Sequence, residues 1–556
     1  MNDIRRTILW VVFGFSVVML WDQWQISHGK KPTFFPSATA PANVSADNTK
    51  PTPAPSAEIS PPTAAASSAS ASLPNAPAQA PAQLVDVQTD VLKLQLSSEG
   101  GSLVKAELRK HKDMHREDSN MVLLDNSSDR TYLAQTGLIG APSQAAWPNH
   151  KTPMRFSGQT ELKDAESQLV IKFESVLASD VKLVKTYQLT RGSYVIQVTH
   201  EVVNNSPNVV NPQLYVQLVR DGNKPPGESS FYSTFTGPAI YTAQKKYQKV
   251  EFADIEKNKA EYEKQSSQGY IAMVQHYFAS AWLLEDGVAR DIFARKIENN
   301  LYAVGMVTPI NALAPGQKQS VQTRLFVGPQ EEKTLESIYP GLELVKDYGW
   351  LTILSKPLYW LLYELNRIIA NWGWSIVALV IVLKAAFYWL NAQAYQSMAK
   401  MKAINPKIME MRERLKDNPQ QMQMEMMRIY REEKVNPLGG CLPIAIQIPF
   451  FIALYWVLLS SVEMRNAPWI GWVHDLAAPD PWFILPLLMT ATSLFQTWLN
   501  PTPPDPIQAK MMWFMPLAFS VMFFFFPAGL VLYWLTNNIL SIAQQWVINK
   551  KLGVIH

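Results

Sequence analysis

The stretch SIVALVIVLKAAFYWL, residues 375–390, is apolar enough to cross a bilayer, yet Lys384 lies inside it. A lysine at the centre of a membrane helix costs roughly 2.5–3.5 kcal/mol on insertion scales, so the charge needs a route to the interface or a polar neighbourhood. Snorkelling is one route. At about 1.5 Å per residue Lys384 stands roughly 18 Å from Trp372 and 14 Å from Gln393, a long but feasible reach for its stem. The apolar run predicts a span over 373–394, and further runs predict spans at about 442–462, 482–500, 511–526 and 528–548.

The rest of the chain must hold a different kind of structure. With 556 residues, more than one core is expected. Eighteen Trp, twenty-one Met and twenty-three Phe are a heavy apolar load, while mean hydropathy is near zero, so the apolar residues are concentrated in part of the chain. A net charge of +4 argues against a nucleic-acid binder held by bulk charge, and no specific nucleic acid sequence is expected as a partner. The single cysteine, Cys441, rules out an internal disulfide framework and lies beside an apolar run, where packing is its expected role.

At the N-terminus, Arg5 and Arg6 precede an apolar run ending in Trp21 and Trp24. Small residues of a cleavage site are absent from its end, so residues 1–24 read as an uncleaved anchor with a cytoplasmic N-terminus. Residues 25–84, mostly Ala, Pro and Ser from about 36, read as a disordered linker that cannot bury enough surface to offset its ordering entropy. From 85 to 345 the pattern alternates, as in DVLKLQL, LVIKFES and YVIQVTHEVV, with turns such as SSEGG and NNSPN between. This predicts a large antiparallel β domain of two packed sheets, exported because it follows an anchor with its N-terminus inside. Its histidines, His111, His115, His150, His200 and His276, have no metal-ligand spacing.

Residues 350–372 form an amphipathic, aromatic segment suited to the membrane interface before the five-helix core at 373–548. The 395–437 loop holds nine Lys/Arg, and the tail (549–556) has Lys550 and Lys551, whereas the 463–481 loop has only Arg465. Positive-inside bias therefore makes the 395–437 loop and both termini cytoplasmic and gives six crossings with the anchor. The 395–437 loop holds two helix-favouring segments broken at DNP (417–419), which predicts a helical hairpin. Its eight methionines, among them Met398, Met401, Met409, Met411, Met422 and Met426, supply either an adaptable capture surface or the seam of the hairpin.

Polar residues continue the face of Lys384 as Tyr388, Asn391 and Tyr395. The last span presents Trp534, Asn537, Asn538, Ser541, Gln544 and Gln545 on one face; Gln447 lies between two prolines; the 482–500 span offers Thr490, Ser493, Gln496, Thr497 and Asn500. These stripes lead towards the cytoplasmic ends, which suggests a wet cavity open inward and plugged outward by apolar residues. Interhelical glue is the plainer use of the same amides.

The segments NWGWSIVALVIVLKAAFYWLNAQAYQSMAKM, EEKVNPLGGCLPIAIQIPFFIALYWVL, ILPLLM and FPAGLVLYWLTNN, in that order, resemble the YidC membrane protein insertase family. Anchor, linker and β domain resemble its Gram-negative form. The resemblance implies a polytopic α-helical membrane protein with six transmembrane helices, a large all-β periplasmic super-sandwich similar to sugar-mutarotase folds, and a cytoplasmic helical hairpin. It also implies a hydrophilic groove open to cytoplasm and lipid, in which Lys384 matches a positively charged position that is most often Arg. The charge is kept and the planar fork lost. The family's groove aromatic falls on Trp534, where Tyr is common. The function implied by the resemblance is that of an insertase and chaperone of the bacterial inner membrane. It would act alone or with the Sec translocon on nascent membrane proteins, with ribosome and membrane lipids as further partners.

No GxxxxGK[ST] phosphate loop occurs, and neither a cofactor nor an enzymatic reaction is expected. The rival is a secondary transporter using Lys384 as a substrate or proton site. Five core spans do not divide into equal repeats, and no pair shows matching Gly/Pro breaks. A tethered periplasmic carbohydrate enzyme rests on fold analogy alone.

Overall fold

The computed structural model describes residues 82–551 except 114, 115, 117, 142–146, 177–179, 226–233, 416–417, 434–441 and 501–505. The anchor, the linker up to residue 81 and the tail beyond residue 551 lie outside the described residues. What is described falls into two units, divided between Asp347 and Tyr348.

The first unit is built of two nine-stranded sheets in which all paired strands are antiparallel. It begins at Leu84, one residue inside the expected linker. The strand Val181–Thr190, VKLVKTYQLT, shows how it forms: every second side chain is buried, so one face packs and the other meets solvent. Thr131–Ile139 and Gln213–Asp221 instead bury nearly every residue, being interior strands whose two faces are both shielded by neighbouring side chains. The far face carries its own small cluster of Leu133, Val219, Leu301 and Ala303.

Hydrogen bonds cross from one sheet to the other within this core. Lys185, in the buried row of its strand, donates from Nζ to the carbonyls of Gly100 (2.5 Å) and Thr136 (2.7 Å). The Tyr187 hydroxyl donates to the Gly101 carbonyl at 2.6 Å, and Trp282 Nε1 to the Gln217 carbonyl at 3.1 Å. His200 Nε2 lies 3.0 Å from Thr136 Oγ1, and His150 Nδ1 lies 2.5 Å from the Tyr215 hydroxyl. Both histidines are buried partners of hydroxyls. Among the described residues, no group of three or more His, Cys, Asp or Glu is placed to hold a metal ion.

The second unit is helical: α1 (Thr352–Ile369), α2 (Trp372–Ala386), α3 (Tyr388–Arg414), α4 (Pro419–Glu432), α5 (Leu442–Ser460), α6 (Ile484–Leu499), α7 (Pro506–Phe523) and α8 (Ala528–Lys551). Asn371 starts α2 by accepting from Trp374 N, and Asn418 starts α4 by accepting from Gln421 N with Pro419 in the first turn. α1 buries Leu358, Tyr359 and Leu362 and exposes Ile353, Trp360 and Ile368.

The continuous span expected over 373–394 is not observed: α2 and α3 meet at Phe387 with a bend of 70°. Neither Pro nor Gly stands there. The Phe387 ring packs edge-on against Phe450 at 5.0 Å, and Gln447 hydrogen-bonds Asn391, so contacts with α5 draw α3 off the axis of α2. The i+4 extrapolation from Lys384 fails at Tyr388, whose ring is exposed, whereas Asn391 lines the same cleft as Lys384 despite the bend. Among the described residues no single helix is long and apolar enough to cross a membrane, whereas the bent pair α2–α3 passes that measure together.

α3 and α4 pack through Ile404, Ile408 and Met411, all buried, with Met401, Met422, Met426 and Ile429 against them. Lys407 pairs with Glu433 at 2.6 Å across the two helices.

Candidate functional site

Lys384 lies in the last turn of α2, and its Nζ donates to Ser541 Oγ of α8 at 2.7 Å. The Ser541 hydroxyl in turn donates to the Asn537 carbonyl at 2.7 Å. The ammonium is thus held by a hydroxyl that ties α2 to α8. Among the described residues, no carboxylate pairs with it. An ammonium has three donors and no acceptor, so this geometry leaves it able to take an anion or a carbonyl.

Beside it is a cleft of about 350 Å³. Lys384, Asn391, Gln447 and Asn537 supply its polar lining, and aromatic rings, Phe387, Phe450, Phe451 and Tyr533, much of the remainder. The arrangement offers apolar contact along most of its wall and one cation at the edge. Such a lining is chemically suited to a mainly apolar group that carries an occasional polar or acidic atom.

The sequence-predicted residues divide. Lys384, Asn391, Gln447 and Asn537 line the cleft, with Ser541 behind Lys384. Tyr388 projects an exposed ring, and its carbonyl accepts from Gln544 Nε2 at 3.2 Å. Asn538 donates to Ser493 Oγ at 2.9 Å and Gln545 to Asn500 Oδ1 at 3.0 Å, which bolts α8 to α6. Gln496 is half-buried on α6 and does not line the cleft. Trp534 wedges against Phe523 (4.5 Å) and Phe526 (6.0 Å).

The single polar stripe expected on α8 is therefore two faces. Neighbouring residues on a helix are about 100° apart, so Asn537 and Asn538 meet different partners. The same rotation brings Tyr533, and not Trp534, to the cleft, where its ring lies 6.0 Å from Phe451. Sequence reading missed Tyr533, Phe450 and Phe451, and the only signal was aromatic density in PFF (449–451) and YW (533–534). Of the hairpin methionines, Met411 is buried, Met401, Met422 and Met426 pack against the seam, and Met398 is half-buried. Met409 is exposed, as are Met424 and Met427, which the sequence reading did not single out.

Comparison with known proteins gives consistent matches along the whole chain. The family model described as YidC periplasmic domain matches residues 84–361, and the one described as 60Kd inner membrane protein matches 364–553. A membrane protein insertase YidC of Burkholderia multivorans is 53% identical over 554 residues, covering 99% of each chain. The one of a Janthinobacterium species is 51% identical over 573 residues, covering both chains completely. Among solved structures, an active YidC insertase with its first transmembrane domain resolved is 17% identical at a TM-score of 0.37, covering 83% of this chain and 93% of that one.

Proposed function

This chain belongs to the YidC membrane protein insertase family, and from that membership we propose that it inserts nascent membrane proteins by drawing them into the cleft beside Lys384. It is an inner membrane protein with a periplasmic domain. In this reading both termini and the α3–α4 hairpin are cytoplasmic, six segments cross the membrane, α1 lies in the outer interface, and the cleft opens to cytoplasm and lipid.

A client first meets the hairpin. Exposed Met409, Met424 and Met427 offer a soft apolar surface, while the seam of Met401, Met411, Met422 and Met426 keeps the hairpin stiff. The client's polar tail then enters the cleft, where Lys384, steadied by Ser541, attracts acidic groups. Its apolar helix moves along the aromatic wall and leaves into lipid. Transfer of apolar surface at about 25 cal/mol per Å² drives the step, and the membrane potential adds about 2.3 kcal/mol per charge per 100 mV. No covalent chemistry and no cofactor is called for. Ribosome, Sec translocon and surrounding lipid act as partners at the two open sides.

The observation that carries this reading is an ammonium on a serine hydroxyl, beside a largely aromatic cleft and without a carboxylate partner among the described residues. A photo-crosslinker in place of Asn537 or Tyr533 should capture a ribosome-stalled client, and one in place of Trp534 should capture far less. Equal capture at 534 and 537, or none at 537, would overturn it.

A further inference from the structure

The stretch 462–483, between α5 and α6, reaches the near ends of α2, α6 and α8 and the middle of α1. Glu463 accepts from the Tyr359 hydroxyl of α1. Asn371, which caps α2, donates to the carbonyls of Pro468 (3.3 Å) and Trp469 (3.4 Å). Trp469 presses so closely on Gly373 that an added Cβ would stand 2.3 Å from its ring. Ala528 N and Gly529 N, at the start of α8, donate to the carbonyls of Ala478 (2.7 Å) and Leu476 (2.9 Å). Pro479 and Pro527 form an antiparallel bridge alongside.

Asp480 lies near the end of this loop, four residues before α6, and is 1% exposed. Its Oδ1 accepts from Trp472 Nε1 at 2.9 Å and Trp482 N at 3.0 Å, and its Oδ2 from Leu485 N at 2.7 Å. All three donors are neutral, and among the described residues no cation pairs with the carboxylate. A buried charge held this way costs desolvation without an ion-pair return, which marks geometry rather than stability as its use. Between its two backbone donors stands Phe483 at φ 57°, a left-handed conformation that an L side chain keeps only when its surroundings impose it. In the helical unit the described non-glycine residues at positive φ are Ala370, Asn466 and Phe483, all at this same end.

We propose that Asp480 is a positioning residue that locks the 462–483 loop into a clasp across the ends of α2, α6 and α8 and onto the flank of α1, so that the Lys384 cleft opens for a client only at its opposite end. The inference rests on the reading that the cleft receives the client. α2 and α8 form two walls of that cleft and are the helices joined by the Lys384–Ser541 bond. Entry of a chain spreads them there, some 18 Å along α2 from the clasp. A clasp that holds turns the spreading into a hinge and keeps the far side sealed to ions. A clasp that slips opens both ends.

The test uses the full chain in proteoliposomes with Cys441→Ser, which removes the one native thiol. Two rates are read together: insertion of a single-span client with an acidic tail, and proton leak tracked by an enclosed pH dye. Asp480→Asn should slow insertion roughly tenfold, the scale of one lost charged hydrogen bond, and should leak. Pro479→Cys with Pro527→Cys then re-ties the clasp without restoring the carboxylate. Residues opposite each other in an antiparallel pair lie about 4.5–5.5 Å apart, within disulfide range. Oxidation of this pair in the Asp480→Asn chain should restore both rates and reduction should abolish the rescue, which a residue serving only as a helix cap would not show. Wild-type rates in Asp480→Asn, or no rescue on oxidation, would overturn the proposal. If Asp480→Asn does not accumulate folded, Trp472→Phe removes one donor and should give a loss of about threefold with the same rescue, and absence of either overturns the proposal. A wild-type chain that seals but does not insert would break the functional reading instead, and the leak with its oxidative rescue would still decide the role of Asp480.

Discussion

Lys185 and Lys384, one in each unit, both sit in apolar surroundings. Lys185 occupies a core position of a β-strand, fully buried, with its ammonium on two main-chain carbonyls of the facing sheet. Lys384 occupies the last turn of a helix, with its ammonium on one serine hydroxyl and a cleft alongside. Lys185 is enclosed and fastens one sheet to the other; Lys384 keeps bonding capacity that faces open space. Burial alone does not separate structure from function here. What separates them is whether the charged atom has a place left for something else.

The largest effect should come from breaking the enclosed lysine. Lys185→Ala leaves the Gly100 and Thr136 carbonyls buried without their donor and opens a cavity, a loss of about 3–5 kcal/mol from the β unit. Hydrogen exchange of strand 181–190 in the full chain would report it. Lys185→Met keeps the volume and removes the charge, and should lose much less. If alanine and methionine behave alike, the loss comes from the missing ammonium bonds and not from the cavity.

Titration sharpens the same contrast. Burial pushes Lys185 down to about 7 from an ordinary value of 10.5. Between these values the unfolded chain holds a proton that the folded chain has given up, so stability of the β unit rises with pH by at most about 1.4 kcal/mol per pH unit and levels off above 10.5. Lys185→Met should flatten that slope. Burial, together with the Lys185 charge, holds His200 down at about 3 from 6.5. The unfolded histidine binds a proton first, so stability falls as pH drops from 6.5 towards 3. His200→Gln should remove that acid loss, as read from exchange rates across the range.

For Lys384 the expected effect is on clients, not on folding. Lys384→Glu should lower insertion of acidic-tailed clients about tenfold or more through like-charge repulsion, while Lys384→Arg retains most of it and thermal unfolding moves little. Protease protection of clients in reconstituted vesicles measures this. Equal insertion by the Glu variant across several clients would remove the distinction between the two lysines.

The smallest effect is expected at the hairpin. Replacing Met409, Met424 and Met427 together by Ser should slow client capture two- to threefold, roughly the transfer energy of a partly exposed methylene, without loosening the hairpin. Met411→Ala should instead cost about 2 kcal/mol of hairpin packing and alter capture only through it.

The period-2 alternation in VKLVKTYQLT specifies a half-buried strand by itself, because facing in or out along a strand is a local property. The DNP break, the apolar runs and the lone cation at 384 are equally local, and the segments carrying them are enough to show the family resemblance. Sequence did not single out Lys185, since a lysine in an alternating row is placed in the core only by the sheet that arrives opposite it. Nor did it separate Asn537 from Asn538 or Tyr533 from Trp534, because a rotation of about 100° on a helix is decided by the neighbour it packs against. The 70° bend at Phe387 comes from the Phe450 ring and the Gln447–Asn391 bond, both more than fifty residues away in the chain. Asp480 looked like any loop carboxylate until the fold surrounded it with three donors. Local pattern determined which elements form and what chemistry they carry; long-range packing decided which way each side chain faces, and so which of them line the cleft.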